Sequence, residues 1–200
     1  DGVLYGGMGT STAESSGWKS GKYGTALSFD GVDDYVNVPD TTGSVLDITS
    51  AITISAWVNL TDVTGDARQI VAKDTTGEGS GAPYHLNINQ TTGLFKGRIG
   101  NGVTNQDITG TTNVANGKWH FVVFSYDANS LYIYVDGVLE KTSVKTITPT
   151  TNNTALMIGS WNNIWSKFLG LIDDVRIYNY ARTQEQILQD YNQGKAIQFR

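Results

Sequence analysis

The chain has 200 residues, a formal net charge of −5 at neutral pH and no cysteine. A chain of this length buries roughly 70% of its unfolded surface, so a single domain over residues 1–200 needs no disulfide or thiolate metal site to fold. Its 14 basic residues are scattered, which argues against nucleic acid, because phosphate binding depends on clustered Lys and Arg. No apolar stretch approaches the roughly 18 residues of a membrane-spanning helix, so we expect no membrane insertion.

Short β-branched and aromatic runs, separated by turn residues, predict an all-β sandwich. The hairpin around Asp136-Gly137 is the clearest, because this pair favours a two-residue turn. Asn101-Gly102 and Asn116-Gly117 predict further turns. Lys118–Tyr126 is apolar on both alternating faces, which indicates a central strand covered on both sides. The predicted strands are Val3–Tyr5, Ala26–Phe29, Tyr35–Val38, Ile52–Asn59, Gln69–Lys73, Tyr84–Asn89, Leu94–Gly100, Lys118–Tyr126, Ser130–Val135, Val138–Ser143, Ala155–Gly159 and Phe168–Tyr178.

One helix is predicted near the C-terminal end, over Thr183–Gln193. Thr183 is suited to the N-cap, and Gln186 three residues later completes a capping box. Gly194 is suited to close the helix. The apolar positions form one stripe that we expect to be buried: Ile187, Leu188 and Tyr191.

Six segments in order along the chain share their residues with one known family: Gly21–Val36, Ile52–Val58, Gly117–His120, Tyr132–Gly137, Met157–Trp161 and Gly170–Asn179. Together they resemble the laminin-G-like, concanavalin A-like family of bacterial surface proteins and polysaccharide-degrading enzymes. The resemblance implies a two-sheet antiparallel jelly-roll sandwich with one short C-terminal helix. This fold hosts lectins, carbohydrate-binding modules, glycosidases and adhesion domains, so the fold alone does not fix the function.

The chain departs from the family at its beginning. Family members usually have a strand ahead of the segment that resembles Gly2–Tyr5. Two explanations stay open: Ala196–Arg200 forms a replacement strand after the helix, or the first strand was trimmed away.

The carboxylates do not predict an enzyme. The resemblance implies that related hydrolases place two glutamates and an aspartate along one strand, with the paired carboxyls about 5 Å apart in retaining enzymes. Here Glu14, Glu78, Glu140 and Glu185 are far apart, and no strand has the spacing Glu-x-Asp-x-x-Glu. A Gly-x-Ser-x-Gly nucleophile elbow and a Gly-rich phosphate loop are also missing from the sequence.

Neither histidine changes that expectation. His120 lies in the apolar central strand and is interpreted as structural. His85 alternates with Asn87 and Asn89, so these three side chains share one strand face. A polar row of this kind faces either solvent or a ligand.

Acidic residues gather in two places and suggest a cation. Asp30, Asp33 and Asp34 surround a turn, and Asp173 and Asp174 begin the last long strand. A hard dication such as Ca²⁺ binds carboxylate and carbonyl oxygens. In relatives a calcium often joins the matching strand and turn, which implies Asp30 and Asp173 as side-chain ligands with a carbonyl near Gly31. The alternative is that these aspartates are ordinary turn formers and strand-end charges.

Two tryptophans lie in a polar loop, Gly159–Lys167, where large apolar side chains have no obvious interior to fill. Sugar recognition needs flat apolar surfaces beside hydrogen-bonding groups, and Trp161, Trp165, Asn162 and Asn163 supply both. The site is completed if further residues share the same concave face: Arg98, Asn101, His85 and Asn87. The alternative for each tryptophan is a lid folded back on the core.

The leading hypothesis is therefore a non-catalytic carbohydrate-binding module of a larger secreted or cell-surface bacterial protein. Its partners are a poly- or oligosaccharide and neighbouring domains, and a structural Ca²⁺ stabilises it. Abundant Thr, Asn, Gly and Ser with few Lys and Glu is typical of bacterial surface proteins. The second hypothesis is a structural or adhesive domain that binds protein or acts as a spacer. Exposed tryptophans in the 159–167 loop favour sugar, and buried ones favour the structural hypothesis.

Overall fold

The computed structural model describes residues 2–8, 17–61, 63–66, 68–74, 82–162 and 165–193. It contains two seven-stranded antiparallel sheets packed face to face and one short helix. This confirms the predicted concanavalin A-like sandwich. The strands are β1 (Val3–Tyr5), β2 (Trp18–Ser20), β3 (Thr25–Asp30), β4 (Tyr35–Val38), β5 (Ile52–Asn59), β6 (Arg68–Lys73), β7 (Tyr84–Ile88), β8 (Leu94–Gly100), β9 (Asn105–Asn113), β10 (His120–Tyr126), β11 (Ser130–Val135), β12 (Val138–Val144), β13 (Leu156–Ile158) and β14 (Leu169–Tyr178).

The strands divide equally between two sheets. Sheet A has the order β1-β4-β13-β6-β7-β8-β9, and sheet B has the order β12-β11-β10-β5-β14-β3-β2. The predicted strands are all present within one or two residues, and β2 and β9 were not predicted. Both are edge strands, and an edge strand with a solvated face carries too few apolar residues to show clear alternation.

The core lies between the sheets and follows the two-residue period of the strands. On β5 the residues Ile52, Ile54, Ala56 and Val58 point inward and are fully buried. Gly97 on β8 also faces inward, directly against the ring of Phe124 on sheet B, so that a Cβ at this position would overlap the ring. The glycine therefore permits a close approach of the two sheets at this point.

The outer face of sheet B is covered by the helix α1 (Gln184–Tyr191). Ile187 packs on Trp57 and Phe121, and Tyr191 stacks on Trp57 with ring centroids 5.6 Å apart. Thr183 and Gln186 form the predicted capping box. The predicted end at Gly194 and the segment Ala196–Arg200 lie outside the described residues.

One detail of the helix prediction was wrong. Leu188 is 45% exposed, whereas Asp190 takes a buried position. Burial of Asp190 is possible because Arg182 donates to its carboxylate at 2.9 Å. The ion pair with Arg182, which lies between β14 and α1, thus takes the place of one apolar contact. The helix contacts sheet B mainly through Ile187 and Tyr191.

A buried ion pair joins β6 to the segment after β4. Lys73 and Asp40 contact each other with fully buried side chains. The ammonium also donates to the carbonyl and side-chain oxygens of Asn152, at 2.7 and 3.0 Å, and to the carbonyl of Thr154. Because all these contacts converge on one ammonium, its donors are fully satisfied in the interior.

Helix α1 does not reach the outer face of sheet A, and it is the one helix in the described part of the chain. None of the described helical segments is long and apolar enough to cross a membrane. The outer face of sheet A is therefore the sheet face that the helix leaves uncovered.

Candidate functional site

A row of side chains crosses the outer face of sheet A from strand to strand. The pairing registers align Asn37, Met157, Ala72, His85, Arg98 and Asp107. A second row two residues along contains Gln69, Asn87, Lys96 and Thr109. The structure thus brings three of the predicted site residues, His85, Asn87 and Arg98, onto one face.

Three charged residues at one end of these rows neutralise most of one another's charge. Lys96 Nζ lies 2.9 Å from Asp107 Oδ2, and Arg98 Nη2 lies 2.7 Å from the same oxygen. Burial alone would raise the pKa of Asp107, but the hydrogen bonds from Arg98 and Lys96 outweigh it and lower the pKa to about 2. The carboxylate is therefore charged at neutral pH, and the cluster keeps a net charge of +1.

His85 is a buried neutral group in the middle of the face. It is 1% exposed, and the Trp161 ring meets it edge-on with centroids 5.5 Å apart. Burial, with a smaller effect of the Arg98 and Lys96 cations, lowers the pKa of His85 to about 3. Within the described part of the chain, neither ring nitrogen has a hydrogen-bond partner, and the same holds for the buried Oε1 of Gln69.

Trp161 and Trp165 have different environments. Their backbones pair with each other, with N–O distances of 2.9 and 3.1 Å. The Trp161 indole N–H donates to Asp74, and its ring is half-buried on His85. Trp165 is 58% exposed. Trp161 therefore folds back on the outer face of sheet A, whereas Trp165 stays open to solvent.

Two of the predicted site residues, Asn162 and Asn101, lie in loops. Asn162 takes a positive φ of 46° in the turn, and its Oδ1 is buried without a partner among the described residues; Asn163 lies outside them. Asn101 follows β8, and its Oδ1 accepts hydrogen bonds from the N–H groups of Val103 and Thr104 at 3.0 and 2.8 Å. The structure does not bring Asn101 into the rows with His85 and Arg98.

Sequence reasoning missed four residues of this face: Gln69, Asp74, Lys96 and Asp107. The alternation of Lys96 with Arg98 on a predicted strand was a usable signal. Asp107 lies on β9, one of the two strands that were not predicted. Asp74 meets Trp161 through a contact 87 residues apart in sequence, for which the local pattern gives no signal.

The acidic turn is organised by its own backbone. Carboxylate oxygens of Asp30, Asp33 and Asp34 lie within 4.8 Å of one another. Asp34 accepts hydrogen bonds from the N–H groups of Gly7 and Asp30, at 3.1 and 2.9 Å. Burial raises the pKa of Asp34, and the negative charges of Asp30 and Asp33 add to that effect. Three carboxylates this close suit a hard cation, although some of their oxygens already accept backbone hydrogen bonds.

The structure does not bring Asp30, Gly31 and Asp173 together as one ligand set. Asp30 pairs with Leu169, so Asp173 lies four residues farther along β14, about 13 Å away. Asp173 Oδ2 instead accepts a hydrogen bond from the N–H of Tyr23 at 2.9 Å. One ion cannot bind both carboxylates at calcium distances of about 2.3–2.6 Å. Calcium binding itself stays a prediction.

The carboxylates of the face have assigned contacts. Asp107 is held charged by two cations, which is the opposite of what a general acid requires, and Asp74 accepts the Trp161 N–H. Away from the face, Glu140 accepts the N–H of Thr111 at 2.7 Å. Glu14 and Glu78 lie outside the described residues.

His120 has hydrogen-bonding groups at both ring nitrogens. Its Nδ1 is 2.8 Å from Asp136 Oδ2, and its Nε2 is 3.2 Å from Asn116 Oδ1. These contacts join the start of β10 to the adjacent hairpin turn and fit the structural interpretation.

Comparisons with solved structures give the same fold. Domain 4 of AbnA, a GH43 extracellular arabinanase from Geobacillus stearothermophilus solved in complex with arabinotriose, matches with a TM-score of 0.69 and 22% identity, over 94% of this chain and 86% of that chain. The binding domain of botulinum neurotoxin serotype G matches with a TM-score of 0.72 and 11% identity, over 98% of this chain and 47% of that one.

The binding domain of Paraclostridial Mosquitocidal Protein 1 has a TM-score of 0.70 and 13% identity, over 96% of this chain and 47% of that one. This chain thus spans about half the length of each toxin domain. At these identities the likeness concerns the fold alone. No curated protein matches significantly. Residues 30–188 match the family model described as concanavalin A-like lectin/glucanases superfamily, and the chain therefore belongs to that superfamily.

Proposed function

We propose that this domain is a non-catalytic carbohydrate-binding module whose site is the outer face of sheet A. One observation carries the proposal: Trp165, which is 58% exposed, pairs through its backbone with Trp161, and the half-buried Trp161 ring lies on the sheet face that the helix leaves open. The other face is packed under aromatic residues and the helix.

The chemistry of the face suits a sugar. The C–H surface of a sugar ring gains roughly 25 cal/mol per Å² when it covers an indole. Arg98 and Lys96, whose side chains are 19% and 20% exposed, supply hydrogen-bond donors for hydroxyl groups. His85 and Asn87 are only 1% and 6% exposed, so they form the buried floor of the face. Hydrogen bonds to hydroxyls contribute about 1 kcal/mol each, because water is displaced from both partners.

The expected affinity is weak. Association has a cost of its own, and the site offers few stacking surfaces. We expect dissociation constants on the order of 10 μM to 1 mM. Such affinities suit a module that keeps an attached protein near a polymer with many repeated sites.

The arabinanase domain suggests the first ligand to test and a setting for this chain. That domain belongs to an extracellular enzyme and was solved with arabinotriose. By analogy, we place this domain in a secreted or cell-surface protein next to other domains. A structural Ca²⁺ at the Asp30–Asp34 turn is also part of the proposal, because it would relieve the repulsion among the three carboxylates.

Calorimetric titration with arabinotriose, followed by a broad glycan array, tests the proposal. Trp165→Ala should weaken binding at least about tenfold, which corresponds to about 1.4 kcal/mol. The matched control is Tyr180→Ala, because Tyr180 is an aromatic residue of similar exposure, 44%, that follows β14 of sheet B. Incubation with β-glucans, xylans, arabinans or fructans should release no reducing ends.

Two results would change the assignment. Absence of binding across the array at millimolar concentrations would favour the adhesive or spacer function. Hydrolysis that is lost on replacing one acidic residue would establish an enzyme.

A further inference from the structure

A second aromatic surface lies on the outer face of sheet A, at the edge that β1 forms. Tyr5 on β1 pairs with Tyr35 on β4. Their rings are parallel within 2°, with centroids 4.7 Å apart. Both point away from the core, because their neighbours Leu4 and Val36 pack inward.

The stack is held from one side and open on the other. The Lys167 ammonium lies 4.7 Å from the centroid of the Tyr35 ring, and Lys167 is itself 8% exposed. Tyr5 remains 43% exposed although its ring rests on Tyr35. Cross-strand aromatic pairs commonly stabilise sheets, but here the pair also presents a flat apolar surface to solvent.

The two aromatic surfaces are linked by one segment of the chain. Trp165 is followed by Ser166, whose carbonyl accepts the N–H of Gln69 at 3.1 Å on the same sheet. The next residue, Lys167, reaches Tyr35. The segment that carries the exposed tryptophan therefore ends at the tyrosine stack.

The extent of the face between Tyr5 and Trp161 sets the size of the ligand. Tyr5 lies on β1 and Trp161 covers His85 on β7, and these strands are separated by four strand spacings in sheet A, or about 19 Å. A single sugar ring cannot span that distance. Lys96 and Arg98 share the Asp107 carboxylate, so most of the charge along the way is paired. The remaining net charge of +1 is too small to favour a polyanion.

We propose that the outer face of sheet A binds a linear, uncharged glycan of several sugar units that crosses the strands, with Tyr5 as a second stacking surface. This inference depends on the proposed carbohydrate-binding function and names its ligand class. Affinity then increases with chain length until the ligand reaches from the Trp165 region to Tyr5.

Titrations with size-graded oligosaccharides, from one to six units, test the inference. The series are arabino-, xylo-, cello-, mixed-linkage gluco- and fructo-oligosaccharides. Tyr5→Ala should weaken binding of the longest ligand about tenfold and leave the shortest binding ligand unchanged. Tyr5→Phe should keep wild-type affinity. Tyr5→Thr, which retains a strand-forming residue, repeats the test if the alanine variant unfolds.

The outcomes separate this inference from the proposed function. If Trp165→Ala abolishes binding but affinity is independent of length and of Tyr5, the extended site is refuted and the binding function stands. If Tyr180→Ala produces the same loss as Tyr5→Ala, stacking at Tyr5 is refuted. If no series binds, the proposed function fails and the extended site fails with it.

Discussion

Replacing each loop tryptophan by alanine should affect stability and ligand binding differently, because the two side chains have different contacts. Trp165 is 58% exposed, and substitutions at such positions usually change the free energy of unfolding by less than about 0.5 kcal/mol. Trp161 covers His85 and donates its indole N–H to Asp74, which is 5% exposed. Loss of a partner by a buried polar group costs about 1–3 kcal/mol.

Trp161→Ala should therefore lower the free energy of unfolding by about 2–3 kcal/mol, with the lost ring contacts included. Trp165→Ala should leave it nearly unchanged. Urea denaturation followed by circular dichroism measures both values, and calorimetric titration with the glycan measures binding. We expect both variants to lose affinity, and Trp165→Ala to lose it without a change in stability.

Trp161→Phe provides the matched control, because it keeps an aromatic ring over His85, although a smaller one, and removes the indole N–H. It should recover part of the stability that alanine loses. If Trp161→Ala is as stable as the wild type, the indole contacts with Asp74 and His85 do not stabilise the loop. If Trp165→Ala binds glycan normally, stacking on its ring is not the source of affinity.

Three further predictions concern ionisable groups. Lys73→Met should destabilise the domain by about 3–5 kcal/mol in urea, because it leaves the Asp40 carboxylate buried and unpaired; equal stability would contradict this. The pKa of His85 is lowered to about 3 in the folded state, so the unfolded chain binds the proton first, and stability falls as pH decreases from about 6.5 towards 3. An NMR titration that shows a protonated His85 ring at pH 5 would refute it. Calcium at 100 times its dissociation constant should add about 2.7 kcal/mol; chelator should lower the melting temperature, and Asp34→Asn should remove the response, whereas Asp173→Asn should not.

The sequence predicted the architecture because the inner strands carry a strong signal. Strands such as β5 and β10 are buried on both faces and consist mostly of apolar and β-branched residues. The capping box at Thr183 was also readable, since it depends on two residues three positions apart. The strand β9 could not be predicted from the sequence, because it lies at an edge and its residues are mostly Thr, Asn, Gln and Asp.

The site was only partly predictable for a related reason. Alternation along β7 placed His85 and Asn87 on one face, which the structure reproduces. The pattern did not indicate that Trp161 would cover His85, nor that Asp74 would bind its indole. Those contacts join segments far apart in sequence, so they depend on how the loop returns over the sheet. The separation of the predicted calcium ligands also depends on contacts between distant segments, because the register of β3 with β14 places Asp30 away from Asp173.

The close packing at Gly97 links ligand recognition to the interior. Its neighbours Lys96 and Arg98 point outward into the proposed site, while the glycine itself rests on Phe124 of the opposite sheet. A single strand thus separates the proposed site from the hydrophobic core. A side chain added at Gly97, or a change of ring size at Phe124, would displace both cations together. Ligand preference in this domain is therefore open to adjustment by residues that never touch the ligand.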